Sequence, residues 1–160
     1  MTCGFQGLLA RGGFVVGARL RGDRVAELRK AAGWLQADLA AELGTRDRRV
    51  GEWERGEQQP QPRSVAELAA VLKVNPLVLL DVDPDDPPLL ALRLAAGLTL
   101  TEVADASGVP YSTYRRLEGG LLRGEPTAPV VKALAPVLQV ALSKLRQAIQ
   151  RSQVDHREGR

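Results

Sequence analysis

The sequence predicts an all-α protein built from two tandem copies of one small helical module, and three observations carry that prediction. First, the chain repeats itself. Leu28-Arg29-Lys30-Ala31-Ala32-Gly33 returns 64 positions later as Leu92-Arg93-Leu94-Ala95-Ala96-Gly97, and Trp53-Glu54-Arg55-Gly56 returns as Leu117-Glu118-Gly119-Gly120, with no gap between. Second, apolar residues step at three- and four-residue spacing, the period of a helix face, with no convincing strand pattern. Third, Gly, Pro, Ser, Thr and Asn fall where helices start and stop. Two copies are too few for a solenoid. A chain of 160 residues holds two modules of roughly 60–70 residues, each at the small end of what folds alone.

The elements follow in order. Residues 1–17 contain an apolar stretch broken by Arg11 and several glycines. They lack the basic start and cleavage site of a signal peptide. They read as a flexible leader, or as the product of a translation start placed too early. Repeat 1 spans 18–80. Leu20, Val25, Leu28 and Ala32 mark a first helix, and Leu35, Leu39, Ala40 and Leu43 a second, punctuated by Gly33 and Gly44. A third helix runs from about Arg46 to Arg55, with Val50 and Trp53 on its inner face. Gly56 to Pro62 is a loop. Ser64 with Glu67 forms a capping-box pattern for a fourth helix burying Val65, Leu68, Ala69 and Leu72. Asn75-Pro76 opens a short fifth helix, Asn as cap and Pro as first residue.

Residues 81–87 are acidic and Pro-rich, a linker stiffened by its prolines. Repeat 2 spans 88–153, with helices from about Pro88 to Ala96, Thr101 to Ala106 (capped by Thr99 with Glu102) and Tyr111 to Glu118. A helical pattern from Ala128 to Gln153 is interrupted by Pro136, which predicts a kink or break. Val137, Leu138, Val140, Ala141, Leu142, Leu145 and Ile149 form the apolar stripe of a closing helix, long enough to serve a dimer interface as well. Residues 154–160 read as a frayed polar tail.

Composition narrows the function. One cysteine, Cys3, and one histidine, His156, leave no disulfide framework, no metal cluster and no His-based catalytic group. Both read as inert, and no enzyme activity, metal or cofactor is expected. No apolar run approaches the roughly 18 residues of a membrane span. The net charge is +3, and all of that excess sits in residues 1–80, with twelve Lys and Arg against nine Asp and Glu; residues 81–160 balance at ten and ten. Moderate basicity favours a polyanionic partner. Arginine outnumbers lysine 18 to 4, the skew of a GC-rich bacterial gene.

Helix, glycine turn, helix, with a polar start and an apolar back on the second, is a helix-turn-helix pattern. In repeat 1 it is Gln36–Leu43, Gly44-Thr45 and Arg46–Arg55. Such a helix enters the DNA major groove only if its neighbour fixes its angle, and its first turn must then meet bases and phosphates. Arg46, Asp47, Arg48 and Arg49 make that turn. Their arginines can pair bidentately with guanine or bind phosphate. As an isolated charge cluster they would read as a solvated face. Trp53 reads as core, and Trp34 as core with partial exposure.

Residues 31–40 (Ala31 to Ala40, including Trp34, Gln36 and Leu39), Gly44 and residues 50–56 resemble the phage-repressor/Cro type, the XRE family of five-helix DNA-binding domains. The resemblance covers about 60 residues of repeat 1 and returns in repeat 2 through Leu92-Arg93, Ala96-Gly97-Leu98, Val103-Ala104, Gly108-Val109 and residues 117–120. It implies two lambda-repressor-like helix-turn-helix domains. It makes Gln36 a phosphate clamp, Arg46, Asp47, Arg48 and Glu52 base-reading positions, and Arg49 and Arg55 backbone contacts, with the loop around Arg63 as a further clamp. It pairs Arg29 with Glu54, and Arg93 with Glu118, beneath the surface. Asp47 and Glu52 either accept from cytosine or hold the arginines by pairing along the helix.

Repeat 2 departs from the pattern. Leu100 stands where Gln36 stands in repeat 1, and its recognition turn is Pro110, Tyr111, Ser112 and Thr113, followed by Arg115 and Arg116. It either binds DNA as a second site or has become a packing, dimerisation or partner-binding module. Tyr111 reads equally as groove contact and as surface. The resemblance implies a sequence-specific regulator of transcription, a repressor, acting on double-stranded DNA in the bacterial cytoplasm, as a homodimer or as one chain spanning two half-sites. The competing reading is a protein-interaction role, an antitoxin or adaptor holding its partner through repeat 2.

Overall fold

The computed structural model describes residues 17–159. The leader expected over 1–17 therefore lies outside the described residues, Gly17 apart. Repeat 1 comprises α1 (Gly22–Ala31), α2 (Gln36–Glu42), α3 (Asp47–Glu54), α4 (Pro62–Leu72) and a single 3₁₀ turn (Pro76–Leu79). Repeat 2 comprises α5 (Leu89–Ala95), α6 (Leu100–Ser107), α7 (Tyr111–Glu118), α8 (Ala128–Leu138) and α9 (Leu142–Arg157). The only β-type pairing among the described residues is an isolated antiparallel bridge between Leu20 and Leu80. It ties the entry of repeat 1 to its exit through Arg21 N–H to Leu79 O and Asp81 N–H to Arg19 O, at 2.7 and 2.8 Å.

Each repeat has its own aliphatic core. Val25, Leu39, Val50, Trp53, Leu68 and Leu79 close the first; Leu89, Val103, Tyr114, Leu117, Val131, Leu134, Leu145 and Ile149 close the second. A third buried cluster belongs to neither repeat alone. Ala18, Val65, Leu77 and Leu80 meet Ala91, Leu92 and Ala148 across the junction. It forms because the outer face of α4 and the 3₁₀ turn is apolar and α5 lies on it. Gly97 approaches so closely that a Cβ there would sit 3.0 Å from the Ala66 Cβ.

The acidic segment between the repeats is docked on α9. Lys144 Nζ donates to Pro84 O at 3.1 Å, Gln147 Nε2 to the Asp86 carboxylate at 2.9 Å, and Arg151 pairs with Asp86 at 3.4 Å.

Several sequence expectations change here. Ser64 does not cap α4. The helix begins two residues earlier at Pro62, whose fixed φ and missing N–H suit a first helical position, and Glu67 binds Arg63 instead. Leu35 is 70% exposed rather than core. It is the last extended residue before α2, where its N–H donates to the Asp38 carboxylate at 2.7 Å. The fifth helix of repeat 1 is one 3₁₀ turn, although Asn75 does cap it by accepting from Leu77 N–H. Pro136 lies inside α8 and does not end it. The break comes at Gln139, in the left-handed conformation (φ 56°), with Val140 N–H returning to Ala135 O. The two helices there diverge by 104°. Ala141 and Leu142, expected on a buried stripe, are exposed at this corner. The tail expected to fray from 154 instead continues α9 to Arg157, with Asp155 buried and paired with Arg151 at 2.9 Å. Thr99 and Glu102 do form the expected capping box. No single described helix is long and apolar enough to cross a membrane.

Candidate nucleic-acid interface

The geometry of α3 rests on a buried ion pair. Arg29 Nε donates to Glu54 Oε1 at 2.6 Å, Nη2 to Glu54 Oε2 at 3.1 Å, and Nη1 to Trp34 O at 2.6 Å. One guanidinium thereby joins α1, the end of α3 and the start of α2. Both side chains are under a tenth exposed, so the pair works as a bolt rather than a surface bridge. Burial pushes the Glu54 carboxyl up, but hydrogen bonds from Arg29 and Gln36, with the Arg29 charge, outweigh it and hold the group below the usual carboxylate range. Repeat 2 builds the same joint. Arg93 bonds both Glu118 oxygens at 2.7 and 2.8 Å and Leu98 O at 2.9 Å.

On this support the turn between α2 and α3 is closed by Gly44 in the left-handed region (φ 62°) and by Thr45 N–H to Ala40 O at 2.9 Å. Val50 and Trp53 face inward. The opposite face is polar and exposed. Arg46, Asp47, Arg48 and Arg49 are all exposed, and Arg46, Arg48, Arg49 and Glu52 line a concavity with Gly44 and Thr45. Asp47 Oδ1 accepts from Arg48 N–H at 2.8 Å. Arg48 Nε donates to Glu52 Oε1 at 3.0 Å, which fixes the guanidinium while leaving its outer edge free. Of the two readings of Glu52, pairing along the helix is the one this geometry favours.

Gln36 stands at the first position of α2, half-buried, with Nε2 donating to Glu54 Oε2 at 2.8 Å. It lies across Gly51, where a Cβ would come within 2.9 Å of Arg55 Nη1 and 3.3 Å of Gln36 Oε1. Gly51 is the residue that sequence reasoning missed. Its signal was a glycine in the middle of a helix, which costs about 1 kcal/mol relative to Ala and so implies a close approach. Arg55 is exposed and folded back on Glu57 at 2.7 and 3.0 Å. Arg63 is the second residue of α4 rather than part of a loop, and pairs with Glu67 at 3.1 Å.

In repeat 2, Tyr111, Ser112, Arg115 and Arg116 are exposed and Thr113 is half-buried. Tyr114, at the position of Val50, is fully buried, and burial, with the neighbouring Glu118 charge, pushes its phenol up. Among the described residues no group of three or more His, Cys, Asp or Glu is placed to share a metal ion.

A comparison with protein families matches helix-turn-helix twice, over residues 25–79 and 89–145. The two matches cover well over half of the chain, and each begins in or at the first helix of a repeat. The chain therefore belongs to the XRE-type helix-turn-helix family, a family of DNA-binding regulators, in two tandem copies. No curated protein and no solved structure matches it.

Proposed function

We propose that this protein is a sequence-specific transcriptional repressor that inserts α3 of repeat 1 into the major groove of double-stranded DNA. One observation carries the reading. The exposed first turn of α3 gathers three arginines around a concavity, while the buried Arg29–Glu54 pair sets the helix at a fixed angle to α2. Arg48, steadied by Glu52, reads a base edge, as an arginine reads guanine. Arg46 and Asp47 flank it, Arg49 and Arg55 contact backbone, and Gln36 at the start of α2 and Arg63 at the start of α4 bind phosphates on either side. Repression follows from occupancy, since a protein seated in a promoter's groove excludes other proteins from it. The modules are residues 18–80 and 88–153, and the setting is the cytoplasm of a bacterium. Selection from a random duplex library tests the reading: the full chain enriches one motif. Absence of any enriched motif overturns it.

A further inference from the structure

The seam between the repeats lacks two-fold symmetry. In it, α4 and the 3₁₀ turn of repeat 1 meet α5 and α9 of repeat 2. A two-fold relation would demand the same contact the other way round, with α8 and the corner before α9 packed on α1. The 64-residue offset makes Gly33 the counterpart of Gly97, and α8, which starts two residues beyond that register, makes Lys132 the counterpart of Ala66. Gly97 is wedged against Ala66 on α4, whereas a Cβ at Gly33 would meet open space, and Lys132 is exposed. Ala91 and Leu80 are buried in the seam. Their counterparts are Glu27, which is exposed, and Arg146, which pairs with Glu125 at 3.8 Å. The repeats are therefore joined head to tail.

Two consequences follow for a partner duplex. First, no two-fold axis relates α3 to α7. An inverted repeat in DNA mirrors a two-fold axis in its protein, so one chain does not offer the matching pair of helices. Second, the array ends at two copies. The apolar outer side of α4 and the 3₁₀ turn, which would otherwise need covering, is occupied within the chain by repeat 2. The corresponding free faces carry Glu27 and Lys30 on α1, and Lys132 and Arg146 on repeat 2, where the seam has Ala91, Leu94, Ala66 and Leu80. Charged groups are costly to bury unless paired, so a second copy gains little by extending the array. Among the described residues the large apolar side chains left exposed are Leu35, Tyr111, Leu121, Leu142 and Val154, spread over four segments. Leu142 and Val154, both on α9, lie about 18 Å apart along its axis.

We infer that one chain, rather than a pair of chains, is the DNA-binding unit, and that its DNA site lacks dyad symmetry and so gives the bound chain a fixed direction. The inference rests on the DNA-binding reading of repeat 1, and it holds whether or not repeat 2 touches the duplex.

The test takes the motif that the full chain selects from a random duplex library and weighs the complex by sedimentation velocity. The motif is expected to contain no inverted repeat. The complex is expected to hold one chain per duplex, unchanged as protein rises from nanomolar to micromolar concentration. Duplexes carrying two inverted copies of the motif, at every spacing across one helical turn, are expected to bind two chains independently, with no gain in affinity per copy. A gain of about fivefold or more, the low end of coupling between interacting sites, overturns the inference. So does an inverted-repeat motif, or a second chain on a single motif; each of these leaves the DNA-binding reading standing. If no motif is enriched, that reading falls and this inference falls with it.

Discussion

Arg29 and Arg93 hold their glutamates and a main-chain carbonyl in the same three-bond arrangement, yet the surfaces those joints support have diverged. In repeat 1 the recognition face carries Arg48 paired with Glu52 along the helix, beside Arg46 and Arg49, and an amide packed over Gly51. In repeat 2 it carries Tyr111, Ser112 and two unpaired arginines, over an aliphatic Leu100. The fifth elements diverge as well, a four-residue 3₁₀ turn against the sixteen-residue α9. Even the spacing changes after Gly120: α4 starts at Pro62 and α8 at Ala128, two residues beyond the 64-residue register. Buried joints tolerate little change because each bond has one geometry, whereas an exposed face is free to be rebuilt for a different ligand.

The largest expected effect tests whether the two joints are equivalent. Glu54→Ala strands a buried guanidinium and should cost about 3–5 kcal/mol, measured by chemical denaturation; Glu118→Ala should cost the same or slightly less, because Glu54 also accepts from Gln36. An unaltered midpoint in either would refute the buried joint in that repeat. The pH dependence has a definite sign. The Glu54 carboxyl is held low in the folded protein, so its contribution is complete above the ordinary carboxylate value of about 4.3 and is lost as pH falls through the folded value. Glu54→Gln should flatten the acid limb of the stability curve.

Next comes the junction. Both tryptophans, Trp34 and Trp53, lie in repeat 1, so their fluorescence reports that repeat, whereas far-UV circular dichroism reports both. The wild type should unfold in one transition by both probes. Leu92→Ala, in the shared core, should cost about 2–5 kcal/mol and pull the two curves apart. Curves that separate already in the wild type would mean that the repeats fold independently.

Arg48→Ala should reduce affinity for the selected motif by about 1–3 kcal/mol through lost base reading, with no change in melting, because the side chain is 86% exposed. Equal loss on all sequences would make Arg48 a phosphate contact instead. The smallest contrast lies between two capping patterns that look alike in sequence. Thr99→Ala should cost about 1 kcal/mol, whereas Ser64→Ala, inside the first turn of α4, should stay within about 0.5 kcal/mol.

Much of this architecture is legible in the order of residues. The repeat, the helix count per copy in its first three elements and the cores follow from spacing, because helix periodicity and glycine turns are local signals. Both Arg–Glu pairs follow from the family resemblance. Three kinds of feature are not legible. Leu35 reads as core because it falls on an apolar period, but it lies just outside the helix that would have turned it inward. Ser64 reads as a cap, yet Ser-x-x-Glu is a cap only at a helix start, and Pro62 has already started the helix. The Gln36–Gly51 contact depends on which faces of two helices touch.

The sequence by itself determined that there are two helix-turn-helix modules in tandem, and that the first carries the denser arginine face. Tertiary structure alone decided that the modules share a buried seam through Ala91, Leu92 and Ala148, that the acidic segment lies pinned to α9, and that Asp86 and Asp155 both pair with Arg151. The physical reason is range. Helix formation and turn geometry are written within a few residues, whereas burial and charge pairing depend on neighbours more than 60 positions away, as between Asp86 and Arg151, and such neighbours exist only once the chain has folded.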